Sequence, residues 1–424
     1  MAVTMQEKKL NTSFLFILKW ILICILVGSL VGSATALFLI SLDWVTEWRS
    51  HHLWIINLLP IIGLAIGLAY YYYGAESNKG NNLILETHQT VNADANVKPI
   101  PLLMAPLVFI STLLTHIAGG SAGREGTAVQ MGGSIADQFT NWFNLNKEER
   151  KTILIIGISA GFAAVFGTPL AAAIFALELM TFRKIKLGDI IPSIFTAYCA
   201  HSICLAWQVK HTMYTIPIVP SISFISLSWT VVAGLIFGLT AFVFTYSGKI
   251  FESLFSKIKF APWRPFLGGI VIALLIVFTN LTKFIGLGIP SISNAFLTPA
   301  GNFDFALKLL LTSFTLSAGF KGGEVTPLFF IGATLGSILI WFIPLPLALL
   351  AGMGLVAVFA GATNCSIASI VMGIELFGWE AGVFVGIASV VAYFSSGVNG
   401  IYSAQLKTGA KYDLYNFIKK SQSL

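Results

Sequence analysis

Six ionisable side chains stand inside or beside otherwise apolar sequence: Arg124, Glu125, Glu178, Lys321, Glu324 and Glu375. Charge in such surroundings is costly, and its presence points to a functional site. Two of the six share a local pattern. Gly123-Arg124-Glu125-Gly126-Thr127 and Gly322-Gly323-Glu324-Val325-Thr326 both read Gly-x-Glu-x-Thr, 199 positions apart. Each glutamate is expected to open a half-helix, over 127–137 and 326–341. A helix start presents unpaired N–H groups and the positive end of a dipole to an anion. A carboxylate there competes with that anion for the same N–H groups and leaves when protonated. Anion binding and proton transfer are then coupled through one shared seat. Simpler roles exist for both residues: an Arg124–Glu125 ion pair, although neighbours on a helix point apart, and for Glu324 a helix cap paired with Lys321. Glu178 and Glu375, at the ends of apolar helices, read as caps or interfacial ion pairs.

A third break, Gly80-Asn81-Asn82-Leu83-Ile84, offers backbone and Asn amides in a turn before a helix. Tyr402, in Gly400-Ile401-Tyr402-Ser403-Ala404, reads either as an interfacial tyrosine or as a hydroxyl donor to an ion. His116 reads as a packing histidine. Enzymatic signatures find little support: the chain has no His-Glu-x-x-His and no Walker sequence, and no histidine on a later helix is placed to activate Ser121. Cys24, Cys199, Cys204 and Cys365 lie in or beside apolar runs, with no Cys-x-x-Cys, so neither a metal nor a cofactor is expected.

The elements that must position these residues are membrane helices. Charged residues are 10% of the 424 and hydrophobic residues 56%, against roughly 25% charge in ordinary soluble proteins. So few charges cannot wet a molecule of this size, and lipid must cover the rest. The formal charge of +7 is spread singly and in short loop clusters, which argues against nucleic acid as a partner. Apolar runs recur from about 14–40 to 366–394. Several are shorter, and others longer, than the roughly 20 residues that cross a bilayer. Gly and Pro interrupt them at Gly119-Gly120, Gly167-Thr168-Pro169, Gly322-Gly323 and Gly361, where freed backbone groups need partners. The first run is too long for a signal peptide and is expected to be kept as a helix. Basic loops at 8–9, 147–151, 183–186, 249–264 and 407–420 predict a cytoplasmic location for those segments and for both termini.

A duplication accounts for the paired breaks. Besides the Glu125 and Glu324 motifs, Ala164-Val165-Phe166 leading to Glu178-Leu179 matches Ala357-Val358-Phe359 leading to Glu375-Leu376, at offsets of 193 and 197. Glycine-interrupted segments at matching places in two halves point to a binding site at the membrane midplane.

These residues resemble the CLC family of chloride channels and anion/proton antiporters. The family's anion-site motifs, Gly-Ser-Gly-Ile-Pro, Gly-Arg-Glu-Gly-Pro, Gly-x-Phe-x-Pro and a late Tyr-Ser-Ala, correspond to Gly80–Ile84, Gly123–Thr127, Gly323-Glu324-Val325-Thr326-Pro327 and Tyr402-Ser403-Ala404. Gly167-Thr168-Pro169-Leu170-Ala171 adds a further match. The departures are specific: Asn81 replaces the serine of the first motif, Thr127 the proline of the second, and Glu324 an apolar residue of the third. In these respects the chain is most similar to the family's fluoride/proton antiporter branch. Leu179 stands where chloride/proton exchangers carry an internal proton-accepting glutamate.

The resemblance implies an all-α membrane protein of two inverted-topology repeats with tilted and broken helices, as one transmembrane domain over 1–424. The halves fall at about 14–190 and 220–400, with a short cytoplasmic tail at 405–424 and no regulatory domain. It implies a fluoride/proton antiporter conferring fluoride resistance, with a chloride/proton antiporter or passive chloride channel as alternatives. Glu125 is then the gating carboxylate, and the anion-binding set is Gly80, Asn81, Asn82, Arg124, Gly126, Thr127, Glu324, Val325, Thr326 and Tyr402. Fluoride, protons and lipid are the implied partners, in a homodimer in the bacterial plasma membrane. Candidate dimer faces are 174–177 and 370–374.

Overall fold

The computed structural model describes residues 2–91, 98–181 and 185–421. Arg183 and Lys184 of the expected basic loop and residues 422–424 of the expected tail lie outside the described residues. Sixteen α-helices form from the described residues. The first half contains α1 (Ala2–His51), α2 (Leu59–Ala69), α3 (Asn81–Thr90), α4 (Met104–Ile117), α5 (Glu125–Trp142), α6 (Lys147–Phe166), α7 (Pro169–Thr181) and α8 (Leu187–Ala206). The second contains α9 (Phe224–Ser256), α10 (Trp263–Thr279), α11 (Ile289–Ala295), α12 (Asp304–Ser317), α13 (Val325–Ile338), α14 (Leu347–Thr363) and α15 (Ser366–Ser395), which kinks at Gly378; α16 (Ala410–Ser421) follows.

Local chemistry explains the helix ends. Asn146 closes a capping box on α6: its Oδ1 accepts from the Glu148 and Glu149 N–H groups, and Glu149 Oε2 accepts from the Asn146 N–H. The long apolar run over 152–181 breaks where sequence predicts. Gly167 takes the left-handed conformation (φ 87°) and Pro169 opens α7. The break expected at Gly361 lies three residues later, at the left-handed Asn364 (φ 57°). Gly361 sits inside α14, where a Cβ would come within 2.9 Å of Ala241 and 3.0 Å of Ser396, so its smallness serves packing.

Five helical segments, of 20 to 37 residues, are long and apolar enough to cross a membrane, among them 15–51 and 224–256. The longer ones exceed a perpendicular span of about 30 Å and must tilt. Shorter apolar helices of 10–17 residues lie between them, so the backbone breaks fall inside the protein, where other protein groups satisfy them.

The two halves repeat element by element, but their register differs from the one the Glu motifs suggest. Helices α4 and α12 begin 200 positions apart, as do α5 and α13. Gly123 and Gly323 face each other across an antiparallel bridge. The Gly123 N–H donates to the Gly323 carbonyl at 2.6 Å, and Gly323 returns the bond at 2.8 Å. Equivalent contacts follow: a Cβ on Gly132 would lie 2.1 Å from the Gly157 carbonyl oxygen, and one on Gly332 2.0 Å from that of Gly354. The offset is therefore 200 at the helix starts, not 199, because reciprocal backbone pairing and close helix approach fix the register while the shared glutamate does not. It falls to 197 from Gly157 onward, since α14 has 17 residues and α6 has 20. Glu178 and Glu375 keep their match at 197; the Ala164/Ala357 match at 193 has no structural counterpart. Glu125 thus corresponds to Val325, and Glu324 to Arg124.

The helix contacts made by Gly132 and Gly332 leave no room for a methyl group. Replacing either by Ala should destabilise the protein by about 1–3 kcal/mol, the usual range for overpacking. Gly248→Ala, with nothing within 4 Å of its Cβ position, should be near neutral. Thermal unfolding in detergent measures all three, and equal melting temperatures would refute this account of the packing.

Candidate functional site

The Gly123–Gly323 pair brings the starts of α5 and α13 together. In the first turn of α13, Pro327 has no N–H and Leu328 N–H already bonds the Glu324 carbonyl. Only Val325 and Thr326 bring free amides to this end. Glu125 occupies that of Thr326: its Oε2 accepts from the Thr326 N–H at 3.0 Å, and the Thr326 hydroxyl lies 2.7 and 2.6 Å from its two carboxyl oxygens. The Arg124 N–H is a longer donor to Oε2, at 3.3 Å. Glu125 is 1% exposed. A carboxylate of one half therefore lies on the helix start of the other, where hydrogen bonds to a charged acceptor are worth about 1.5–3 kcal/mol each. An anion offering comparable hydrogen-bond acceptance fits the same donors once the carboxyl is protonated and displaced.

The alternative Arg124–Glu125 ion pair is present, but beyond hydrogen-bond distance. The Arg124 Nε is 3.8 Å from Glu125 Oε1, buried and without a hydrogen-bond partner. Thr127 turns away from the α13 start, its hydroxyl 2.8 Å from that of Thr112 on α4. Gly126 is different. A Cβ there would meet Gly323 Cα at 3.1 Å, Asn81 Nδ2 at 3.2 Å and Glu324 Oε2 at 3.6 Å. Its missing side chain is what lets the Asn81 amide and the Glu324 carboxyl face one point.

Asn81 opens α3 after Gly80, whose positive φ of 59° makes the turn that aims the helix. The Asn81 Oδ1 is buried with no hydrogen-bond partner. Asn82 does structural work instead: its Oδ1 accepts from the Ala404 N–H at 3.0 Å, while Gln89 Nε2 donates to the Ala404 carbonyl at 2.7 Å. Together with Ile401 N–H, bonded to the Ala362 carbonyl at 2.8 Å, these contacts fix the loop that carries Tyr402. Tyr402 is 5% exposed, within electrostatic reach of Glu324, Cys365 and Glu125.

Glu324 caps no helix with its side chain and does not pair with Lys321. Lys321 Nζ donates to Asn78 Oδ1 at 2.7 Å and lies 4.1 Å from the centre of the Tyr70 ring. Glu324 and Lys321 instead line one cavity of about 550 Å³ that extends to Lys249, Glu252 and Arg264. Sequence reasoning missed Asn78 and Tyr70 as members of this wall, because neither stands out from an ordinary loop or tyrosine run.

The remaining acids are caps. Glu178 accepts from the N–H groups of Ile367 and Ala368 at the start of α15, at 3.1 and 2.8 Å. Glu375 accepts from those of Leu170 and Ala171 at the start of α7, at 3.1 and 2.7 Å. The two ring nitrogens of His116 lie 2.9 Å from the Thr112 carbonyl and 3.1 Å from that of Ala122, and the single N–H of the neutral ring donates to one of them, in keeping with a packing role. Lys308 also escaped sequence reasoning, although a lysine inside the apolar run at 305–317 is a visible signal. It is fully buried, and its Nζ donates to the carbonyls of Phe284 at 3.0 Å and Gly286 at 2.6 Å. Arg49, also buried, donates to the His116 carbonyl. These cations hold the turns that lead into the site.

Comparison with known proteins places this geometry. The voltage gated chloride channel family model matches residues 62–397. A chloride/fluoride channel protein from Pseudomonas syringae pv. tomato is 47% identical over 398 residues, covering 92% of this chain and 87% of its own. Among solved structures, a CLC-type fluoride/proton antiporter is 35% identical with a TM-score of 0.87, covering 92% of this chain and 98% of that one. A slow cyanobacterial Cl-/H+ antiporter, 20% identical with a TM-score of 0.77 over 95% of this chain and 98% of its own, shares the fold. The inverted repeat, the paired helix starts and the match over most of the sequence lead to one assignment: this chain is an integral membrane protein of the voltage-gated chloride channel, or CLC, family.

Proposed function

We propose that the protein exports fluoride in exchange for protons and so confers fluoride resistance. One observation carries this reading: the Glu125 carboxylate rests on the free amide and the hydroxyl of Thr326 at the start of α13. In this reading Glu125 is the gate. Protonation weakens its hold on donors that prefer an ionised acceptor, and fluoride takes its place beside the Val325 and Thr326 amides.

Fluoride is small and strongly hydrated, so its path must supply strong donors. Asn81 Nδ2 and the Tyr402 hydroxyl serve as neutral donors, and Glu324 in its protonated form adds a third beside the same point. A chloride path has less need of an extra carboxyl, because chloride gives up its water more easily. Gly80 aims the Asn81 helix, Asn82 holds the Tyr402 loop, Gly126 leaves the space, and Arg124 contributes positive potential beside the gate. Thr127, bonded to Thr112, supports the α5 start. Lys249, Arg264 and Lys321 draw anions into the cavity that Glu324 borders. We place this mouth and both termini on the cytoplasmic side, because the basic loops cluster there, in a bacterial plasma membrane. We further propose a homodimer through the apolar groove of α15 bordered by Ile370, Ile374 and Val383, with one pathway in each subunit.

Energetics favour export by exchange. HF enters from acid surroundings and dissociates in the neutral cytoplasm, trapping fluoride. One proton inward for one fluoride outward moves two charges, worth about 4.6 kcal/mol per 100 mV at about 2.3 per charge. At about 1.4 kcal/mol per tenfold, this sustains roughly a 2,000-fold fluoride gradient at that voltage.

In liposomes loaded with fluoride or chloride, fluoride efflux should be faster and accompanied by proton uptake. Chloride efflux as fast as fluoride, or fluoride current without proton movement, would sink the proposal; the second outcome indicates a channel. Glu125→Gln should abolish exchange, because the amide cannot alternate between ionised and protonated forms; normal proton-coupled efflux in this variant would remove Glu125 from the gate. Glu324→Ala should slow fluoride transport while leaving the amount of folded protein unchanged. An unchanged rate would reduce Glu324 to a lining residue.

A further inference from the structure

A second large cavity, of about 1110 Å³, lies away from the anion site between α1, α3, α6 and α8. It exceeds the roughly 300–1,000 Å³ of ordinary small-molecule pockets. Its two ends differ sharply in chemistry. One wall is apolar and formed by Phe16, Trp20 and Ile21 of α1 with Ile191 and Phe195 of α8. The other end carries His88, Glu148, Glu149, Lys151, Lys186 and Asp189. An apolar slot ending in a charged ring has the profile of one leaflet of a bilayer, with Trp20 where an interfacial aromatic belongs.

The charged end retains capacity for a ligand. His88 is 7% exposed, yet its Nε2 is buried with no hydrogen-bond partner. A buried ring nitrogen left unpaired is costly, and a ligand oxygen would satisfy it. Lys186 Nζ contacts Glu148 at 2.6 Å and Lys151 Nζ contacts the same carboxylate at 3.3 Å. Each ammonium has three N–H donors, so these contacts leave others for a phosphate. The ring also holds three carboxylates: Glu148 between the two lysines, Glu149 paired with Lys19 at 3.1 Å and Asp189 accepting from the Thr152 hydroxyl at 2.6 Å; each carboxylate has further lone pairs for an N–H-bearing cation.

We propose that this crevice is a binding site for one phospholipid whose headgroup carries both a phosphate and a primary ammonium, a phosphatidylethanolamine. The acyl chains lie along Phe16, Ile21, Ile191 and Phe195. The phosphate or ester oxygens take the His88 Nε2–H and the lysines, and the ammonium donates to the carboxylates. A choline headgroup, with no N–H, loses the last contact, and a glycerol headgroup supplies no positive charge. Gln89 and Leu406 border the same crevice, and Gln89 bonds the Ala404 carbonyl of the Tyr402 loop. The lipid therefore lies against the segment that positions a site residue.

Native mass spectrometry of the full chain tests this, with phosphatidylethanolamine, phosphatidylcholine and phosphatidylglycerol of matched acyl chains added to the detergent-purified protein. The ethanolamine lipid should be retained about tenfold more strongly than either of the others, the worth of one charge-assisted hydrogen bond. His88→Leu and Lys186→Ala should each reduce its retention to the choline level. Lys186 is 64% exposed, so its variant keeps the fold even where His88→Leu does not. Equal retention of the three lipids overturns the proposal, as does full retention of the ethanolamine lipid by Lys186→Ala. A disulfide-linked dimer formed by Ile191→Cys and absent from the unmodified protein also overturns it, because a second copy would then cover the crevice.

Discussion

Two glycines that exchange hydrogen bonds at the centre of the molecule carry the rest of the arrangement. In hydrocarbon every backbone N–H and C=O must find a partner inside the protein, and a helix that stops partway exposes several at once. Gly123 and Gly323 answer this constraint by pairing with each other. The pair locks the starts of α5 and α13 against each other, and neither residue has a side chain to keep the two backbones apart. A Cβ on Gly323 would lie 2.7 Å from the Gly126 N, and one on Gly123 2.8 Å from the Gly323 carbonyl oxygen. The free amides that remain are few, and they point at the other half of the molecule.

The same economy recurs at the next pair of breaks, where the helix starts are satisfied by carboxylates. Glu178 of one half caps α15 of the other, and Glu375 returns the contact to α7. Each is an acid of one repeat closing a helix start of its counterpart. Glu125 on Thr326 is a third instance of this contact, and it lacks a symmetric twin. The residue equivalent to Glu125 is Val325, and Glu324 corresponds to Arg124. That one-residue asymmetry turns a duplicated scaffold into a site with one seated carboxyl and one that borders a cavity. Both acids stand beside the α5 and α13 starts only because the repeat is broken there.

Much of the site was legible in the sequence. Glycine breaks in apolar runs, and acids beside them, stand out because both are costly in a membrane and persist only for a reason. The motif likeness placed Asn81, Glu125, Glu324 and Tyr402 in one neighbourhood, and they meet there. The register was read one residue short, because a shared Glu is conspicuous in sequence while backbone pairing is invisible in it. Thr127 and Asn82 looked like ligands by position; their hydrogen bonds go to α4 and to the Tyr402 loop. Lys321 looked like the partner of Glu324, yet Asn78 and the Tyr70 ring hold it, and both lie some 240 or more positions away in the chain.

Composition alone determined that this chain lives in lipid, since 10% charge cannot solvate its surface. Local residue types determined where helices stop, because Gly, Asn and Pro set backbone angles within a few residues. Tertiary structure decided which helix starts face each other, which acid rests on the other half's amide, and which borders the cavity. Those outcomes depend on contacts across about 200 residues, between Glu125 and Thr326 or Glu178 and Ala368. No local pattern encodes them. They are fixed by two helix starts approaching closely enough to share hydrogen bonds in a medium without water to supply any.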